Sequence, residues 1–170
     1  HPSLIKAFQQ AVNKFGVGSG ASSLVSGRNS AHVELEEEVV RFTGRDKALL
    51  FSSGYLANLS IISTLVEDRN DHIFQDKLNH ASMIDAALLS RGKLIRYPHA
   101  DVEALEVALH RHPFSCRLVL TESVFSMGGD IAPLKAIAKL CSKQNASFVV
   151  DDAHGFGVFG NQGKGTLDLL

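Results

Sequence analysis

The nine residues Ser147-Phe148-Val149-Val150-Asp151-Asp152-Ala153-His154-Gly155 change character halfway. A short, β-branched apolar run gives way at once to two acids, a histidine and a glycine, the pattern of a strand covered on both faces that opens into a polar turn. Moving outward, comparable runs stand at Ala48-Leu49-Leu50-Phe51, Asp71-His72-Ile73-Phe74, Leu94-Ile95-Arg96-Tyr97 and Arg117-Leu118-Val119-Leu120-Thr121. Helical stretches fall between them at residues 55–66, 81–91, 101–111 and 133–144. Strands alternating with helices at this spacing are βαβ units, so the sequence predicts an α/β fold with a mostly parallel sheet flanked by helices.

The first 44 residues read differently. Leu4, Ala7, Phe8, Ala11, Val12 and Phe15 share one helical face, which predicts an amphipathic helix from Ser3 to Phe15 with Ser3 as its N-cap. The glycine- and serine-rich stretch from Gly16 to Gly27 holds neither helix nor strand and is expected to be a loop. A second helix is expected from Ser30 to Thr43, stopped by Gly44, with Glu34, Glu36, Glu37 and Glu38 on a solvated face. The expected division is therefore residues 1–44, helices and a glycine-rich loop packing on a larger part, and residues 45–170, the α/β domain.

Composition narrows the function classes. Lys and Arg number 17 against 18 Asp and Glu, a net charge of −1, which argues against a polyanion or nucleic-acid binder. The 45% hydrophobic and 21% charged content is that of an ordinary globular chain. No run approaches the roughly 18 apolar residues of a membrane span, and no basic n-region followed by an apolar h-region opens the sequence. Cys116 and Cys141 are expected to be buried thiols in a reducing compartment, so a cytoplasmic location is expected.

In an open parallel sheet, ligands bind outside the carboxyl ends of the strands, and the residues there are polar. Ser53-Gly54-Tyr55 stands where a run ends and a helix begins: its free N–H groups suit a phosphate, or it is a small-residue turn with a serine cap. Asp151 and His154 crowd one strand tip, where a carboxylate needs a partner such as a protonated heterocyclic nitrogen. Helix capping by Asp152, a solvated His154, or a metal site are the alternatives, the last without a second His or Cys cluster to support it. His80 opens a helix, as a cap or with its imidazole face on an aromatic ligand. His110-Arg111-His112 reads as a helix end. The glycines after Gly16 fail as a dinucleotide fingerprint because a helix precedes them, and neither a P-loop nor a GxSxG elbow occurs.

Taken in order, Gly18-Ser19-Gly20, Val25-Ser26-Gly27 with His32 and Leu35-Glu36, Ser53-Gly54-Tyr55-Leu56-Ala57-Asn58, Leu78-Asn79-His80-Ala81-Ser82, Val124-Phe125-Ser126-Met127 and Val150-Asp151-Asp152-Ala153-His154-Gly155 follow the motif order of the α-oxoamine synthases. The sequence resembles this family over essentially its whole length. Its members are pyridoxal 5′-phosphate (PLP) enzymes of fold type I that condense an amino acid with an acyl thioester. The resemblance implies an incomplete PLP-binding large domain. It implies Asp151 on the pyridinium nitrogen, His80 stacked on the ring, His154 on the ring 3-oxygen with Ser126 nearby, and the phosphate on the N–H groups of Gly54 and Tyr55 beside Ser53. His80, Asp151 and His154 are then the catalytic residues, no metal is involved, and the site lies at a homodimer interface. Ala153-His154-Gly155 and the tail Gly160-Asn161-Gln162-Gly163-Lys164-Gly165 resemble the branch that joins L-alanine to a pimeloyl thioester, carried on CoA or a carrier protein, with loss of CO₂. The branch acting on 2-amino-3-oxobutyrate, which usually has Ser-His-Ala-Val there, and the 5-aminolevulinate and serine palmitoyl transferases are the alternatives within the family. A non-catalytic α/β scaffold is the alternative outside it, and a nicotinamide enzyme is disfavoured by the failed fingerprint.

The resemblance places the cofactor-holding lysine several tens of residues beyond the Asp-x-x-His strand, in a Ser/Thr-Phe-x-Lys-Gly segment that residues 1–170 do not contain. Lys164 occupies a place that is commonly Arg, and Gly128 one that is usually Asp. With His1 as the first residue, the chain is expected to be a piece of a longer protein that lacks the small C-terminal domain and to be inactive alone.

Overall fold

The computed structural model describes residues 1–112 and 116–170, which form two units, His1–Leu50 and Phe51–Leu170. The first unit holds α1 (Pro2–Phe15) and α2 (Ser30–Thr43). Proline suits the opening of α1 because a helix start leaves that N–H unpaired anyway. The cap is therefore His1 rather than the expected Ser3: His1 Nδ1 accepts from the Ser3 N–H at 3.4 Å. At α2 the capping is reciprocal, Asn29 Oδ1 accepting from the Ala31 N–H at 3.1 Å and His32 Nδ1 from the Asn29 N–H at 3.2 Å. Gly44 ends α2 in the left-handed region, with φ 70°.

The glycine-rich stretch is irregular up to Ser22 and then makes one π-type turn, Ser23–Gly27. Gly27 is buried, and a Cβ there would overlap the Ala21 carbonyl oxygen, so only glycine fits. Glu36 does not belong to a solvated face. It pairs with Arg28 and accepts the Leu50 N–H at 3.3 Å. That bond bears on the first expected strand: Ala48-Leu49-Leu50-Phe51 joins no sheet among the described residues, Leu49 is 73% exposed, and the donor that a ladder would use is spent on a carboxylate.

The second unit opens with α3 (Gly54–Leu65) and continues through β1 (His72–Asp76), α4 (Ala81–Leu89), β2 (Lys93–Tyr97), α5 (Val102–His110), β3 (Arg117–Glu122), α6 (Leu134–Gln144) and β4 (Ser147–Asp151). A parallel pair needs a long crossover, and here helices provide it. The strands lie in the order β2-β1-β3-β4, and every neighbouring pair is parallel. The expected α/β class with a mostly parallel sheet is observed, with four strands described rather than five.

Side chains alternate across a strand, and successive residues accordingly feed two apolar layers. Ile73, Leu118 and Leu120 meet Ile62 of α3 with Met83, Ala86 and Ala87 of α4. Phe74 and Val119 face the other way, toward Leu105 and Leu109 of α5 and Ile137, Leu140 and Cys141 of α6. Each fully buried Phe, Leu or Ile contributes about 2–3 kcal/mol by leaving water. β1 and β3 are buried almost throughout, whereas β4 is only half-buried because it lies on the outside of the described sheet.

Of the two cysteines, Cys141 is buried, and burial pushes its thiol up to about 11. Cys116 is exposed, contrary to expectation, because it precedes β3 rather than sitting within it. His110 closes α5, as expected. Among the described residues no helix is long and apolar enough to cross a membrane.

Two polar clamps hold the carboxyl ends of the strands. His99 lies between Asp76 (3.0 Å) and Asp130 (2.7 Å), edge-on to the Phe125 ring. Burial draws its pKa down, but the two carboxylates outweigh that and leave it raised. Asn79 reaches from the turn after β1 to β3, donating to the Leu120 carbonyl at 3.0 Å and accepting the Glu122 N–H at 3.1 Å. Replacing it by leucine strands a buried donor and a buried acceptor, and Asn79→Leu is expected to cost about 3 kcal/mol. Chemical denaturation of the complete protein measures this, and an unchanged midpoint contradicts the clamp.

Candidate active site

β1 leads to β2 on one side, whereas β3 and β4 lie on the other, so the chain changes direction between β1 and β3. Crossovers diverge at such a switch point and leave a crevice at the carboxyl ends of the strands. A cavity of about 140 Å³ lies there, lined by Gly54, Tyr55, Asn58, His80, Ser82, Glu122, Asp151, Ala153 and His154. Five of the sequence-derived candidates, Gly54, Tyr55, His80, Asp151 and His154, thus meet in one wall.

The start of α3 supplies two free donors. Ser53 caps the helix, its Oγ accepting the Leu56 N–H at 3.2 Å and its carbonyl the Ala57 N–H at 3.0 Å. The Gly54 and Tyr55 N–H groups precede the helical ladder and carry no partner among the described residues. A Cβ on Gly54 would meet only open space, so an anion can approach that backbone closely. The Tyr55 hydroxyl points away to Asp85 Oδ2, at 2.8 Å, a bond that raises its pKa.

His80 caps α4: its Nδ1 accepts the Ser82 N–H at 3.2 Å and lies 2.7 Å from Ser82 Oγ. A backbone N–H only donates, so Nδ1 is the unprotonated nitrogen and the proton of the neutral ring sits on Nε2. Capping and lining the cavity are thus one placement of one side chain.

Asp151 accepts from Asn58 Nδ2 at 2.8 Å on one oxygen and from the Ala153 N–H at 3.0 Å on the other. It is half-buried, and its register partner across the sheet is Glu122. Asp152 faces the loop instead, accepting from the Ser123 hydroxyl, from Thr166 Oγ1 at 2.6 Å and from the Thr166 N–H at 3.0 Å. A Cβ on buried Gly155 would strike that carboxylate. These contacts fix the loop that carries the exposed His154 to the cavity rim.

Ser53 and Ser126 do not line the cavity. Ser53 acts through its cap, and Ser126 is exposed, with its N–H on Glu122 Oε2 at 3.2 Å. Four lining residues escaped the sequence reading as site residues: Ala153 and the polar Asn58, Ser82 and Glu122. Glu122 is almost wholly buried, its Oε1 has no hydrogen-bond partner among the described residues, and burial raises its pKa, with Asp151 adding to the shift. Its only sequence signal was an acid closing an apolar run. Among the described residues no three His, Cys, Asp or Glu side chains gather as a metal site.

Fold and site together define an α/β domain whose ligand crevice sits at the switch point of a parallel sheet. A family model for aminotransferase class I and II matches residues 1–168, and the chain belongs to that family. It is 56% identical over 164 residues to an 8-amino-7-oxononanoate synthase of Hahella chejuensis, a match covering 96% of this chain and 41% of that protein. Among solved structures, serine palmitoyltransferase of Sphingomonas wittichii superposes with a TM-score of 0.95 at 38% identity, covering 99% of this chain and 42% of that one. A serine palmitoyltransferase structure with PLP gives a TM-score of 0.94, also at 38% identity and with the same shares covered. The chain therefore spans about two-fifths of the length of the curated relatives it matches.

Glu122 permits a test that needs no ligand. Because its folded pKa lies above the ordinary value of 4.5, ionisation penalises the native state above the raised value, and the penalty is gone below the ordinary one. Glu122→Gln keeps an oxygen for the Ser126 N–H and removes the charge. The variant of the unliganded complete protein is expected to be more stable than the parent at neutral pH, with the gain fading as pH falls toward 4.5. Thermal unfolding across pH measures it, and a gain independent of pH refutes the assignment.

Proposed function

We propose that this chain is the cofactor-binding part of a PLP-dependent C-acyltransferase, an 8-amino-7-oxononanoate synthase. Its reaction is the decarboxylative condensation of L-alanine with pimeloyl-CoA or a pimeloyl-carrier protein, a step of biotin biosynthesis. What carries the reading is the meeting of an acid, two imidazoles and two unpaired helix amides in one cavity, in a chain 56% identical to a synthase of that name. The unpartnered, buried Glu122 Oε1 fits an occupant that brings a polar group.

When bound, PLP supplies an electron sink for the bonds at the amino-acid Cα. The residues divide the work of holding it. The Gly54 and Tyr55 amides take the phosphate, with Ser53 fixing the turn that presents them. Asp151 would hold the ring nitrogen and stabilise a proton there. His80 would pack against the ring, and His154, at the rim, would hydrogen-bond the 3-oxygen. Ser126 contributes through the N–H that holds Glu122. Residues 45–170 then belong to the large domain, which the helices and glycine-rich loop of residues 1–44 precede. No lysine lines the cavity among the described residues, so covalent attachment falls to none of the lysines from Lys6 to Lys164. The same reading includes a homodimer that completes the site and a cytoplasmic location.

The complete protein is expected to turn over L-alanine with a pimeloyl thioester, and Asp151→Asn to lower kcat by roughly a hundredfold or more, the scale seen when one preorganised electrostatic partner is removed. PLP is expected to stay bound in that variant. Full turnover by Asp151→Asn, or a complete protein that takes up no PLP, overturns the reading.

A further inference from the structure

We propose that Asn58 is a positioning residue that holds the Asp151 carboxylate for the ring nitrogen, an inference that rests on the PLP reading. Asn58 lies in the second turn of α3 and is 9% exposed. Its Nδ2 carries two protons, and both are committed: one to Asp151 Oδ2 at 2.8 Å and one to Ser82 Oγ at 2.9 Å. The orientation of the amide is fixed by chemistry, because the flipped form would set Oδ1 against a carboxylate that has nothing to donate. Ser82 Oγ in turn lies 2.7 Å from His80 Nδ1 and has its hydroxyl proton free to give there. A single amide nitrogen thus ties the acid at the tip of β4 to the imidazole cap of α4.

The choice of an amide has a physical reason. A lone Ala153 N–H on Oδ1 leaves the carboxylate free to rock about its last bond, and a second donor on Oδ2 fixes its plane. A lysine or arginine would fix it as well, but its charge would compete with a protonated ring nitrogen for the same acid. A neutral donor fixes the carboxylate without bringing a competing charge. Asn58 therefore acts through Asp151, and only on ligands that present a ring N–H.

The test compares PLP with its deaza analogue, in which the ring nitrogen is replaced by C–H, by equilibrium dialysis against the complete apoprotein. The parent is expected to prefer PLP. In Asn58→Leu the preference is expected to shrink about tenfold or more, the scale of one hydrogen bond to a charged group, through a loss of PLP affinity with the analogue unchanged. Equal losses for both ligands, or no change for either, overturn the proposal. Should Asn58→Leu fail to fold, as judged by circular dichroism, Asn58→Ala carries the test: it removes the same donor from Asp151 without adding bulk or charge, and is expected to shrink the preference by a similar factor. An undiminished preference in that variant also overturns it. A parent protein that binds no PLP, or binds both ligands alike, brings down the underlying reading of the site, a result distinct from any seen only in the Asn58 variants.

Discussion

Parallel pairing of β3 with β4 puts Glu122 and Asp151 side by side at the carboxyl ends of neighbouring strands, and the rest of the site is arranged around the cost of those two acids. Like charges so close in a partly dry crevice repel, and the surroundings resolve this by treating the two groups differently. Asp151 is given neutral donors on both oxygens, from Asn58 and Ala153. Glu122 is buried with one oxygen unpartnered among the described residues, and its proton is retained to higher pH than usual. One acid is held by two donors at the crevice and the other is buried with its pKa raised, so the two neighbours meet different surroundings.

Topology puts these groups where a ligand can reach them. Because β2 and β3 flank β1 on opposite sides, α3 and α4 begin at the same end as the acids, and their unpaired amides and caps face one crevice. Asn79 then stitches β1 to β3 directly below it, by contacts to the backbone of Leu120 and Glu122 that no neighbouring residue supplies. The polar residues at this end of the sheet thus serve two ends, satisfying buried backbone and presenting side chains.

Much of this was legible in the sequence because it is local. The apolar runs read at 71–74, 94–97, 117–121 and 147–151 correspond to the strands at 72–76, 93–97, 117–122 and 147–151, and the helices between them agree within a residue or two. Asp151 and His154 are legible because they stand at and just after the end of β4, where a parallel sheet exposes its chemistry, whereas His80, Gly54 and Tyr55 are legible because they open helices, the last two after a run that joins no described sheet. What was not legible depends on partners far away in the chain. Asn58 is an ordinary helical residue until Asp151, 93 positions later, comes within reach. The run at Ala48–Phe51 has strand composition, but Glu36 takes the Leu50 N–H, so tertiary context overrides propensity. The misjudged Cys116 sits one residue outside its strand, where alternation no longer says which way a side chain faces.

The position of β4 as an outer strand of the described sheet has a practical consequence. Its inner side is paired with β3, while its outer row of N–H and C=O groups stands beside half-buried Phe148, Val149 and Val150. A bare, apolar strand edge is a template for another strand. Residues 1–170 prepared by themselves would therefore tend to stack edge to edge through β4, and the same association would draw Asp151 into a strand junction and close the crevice from outside. A lysine on the outer row of β4 is the simplest change that would keep such a preparation in solution, because a charged side chain at an edge must be desolvated before a second strand can dock.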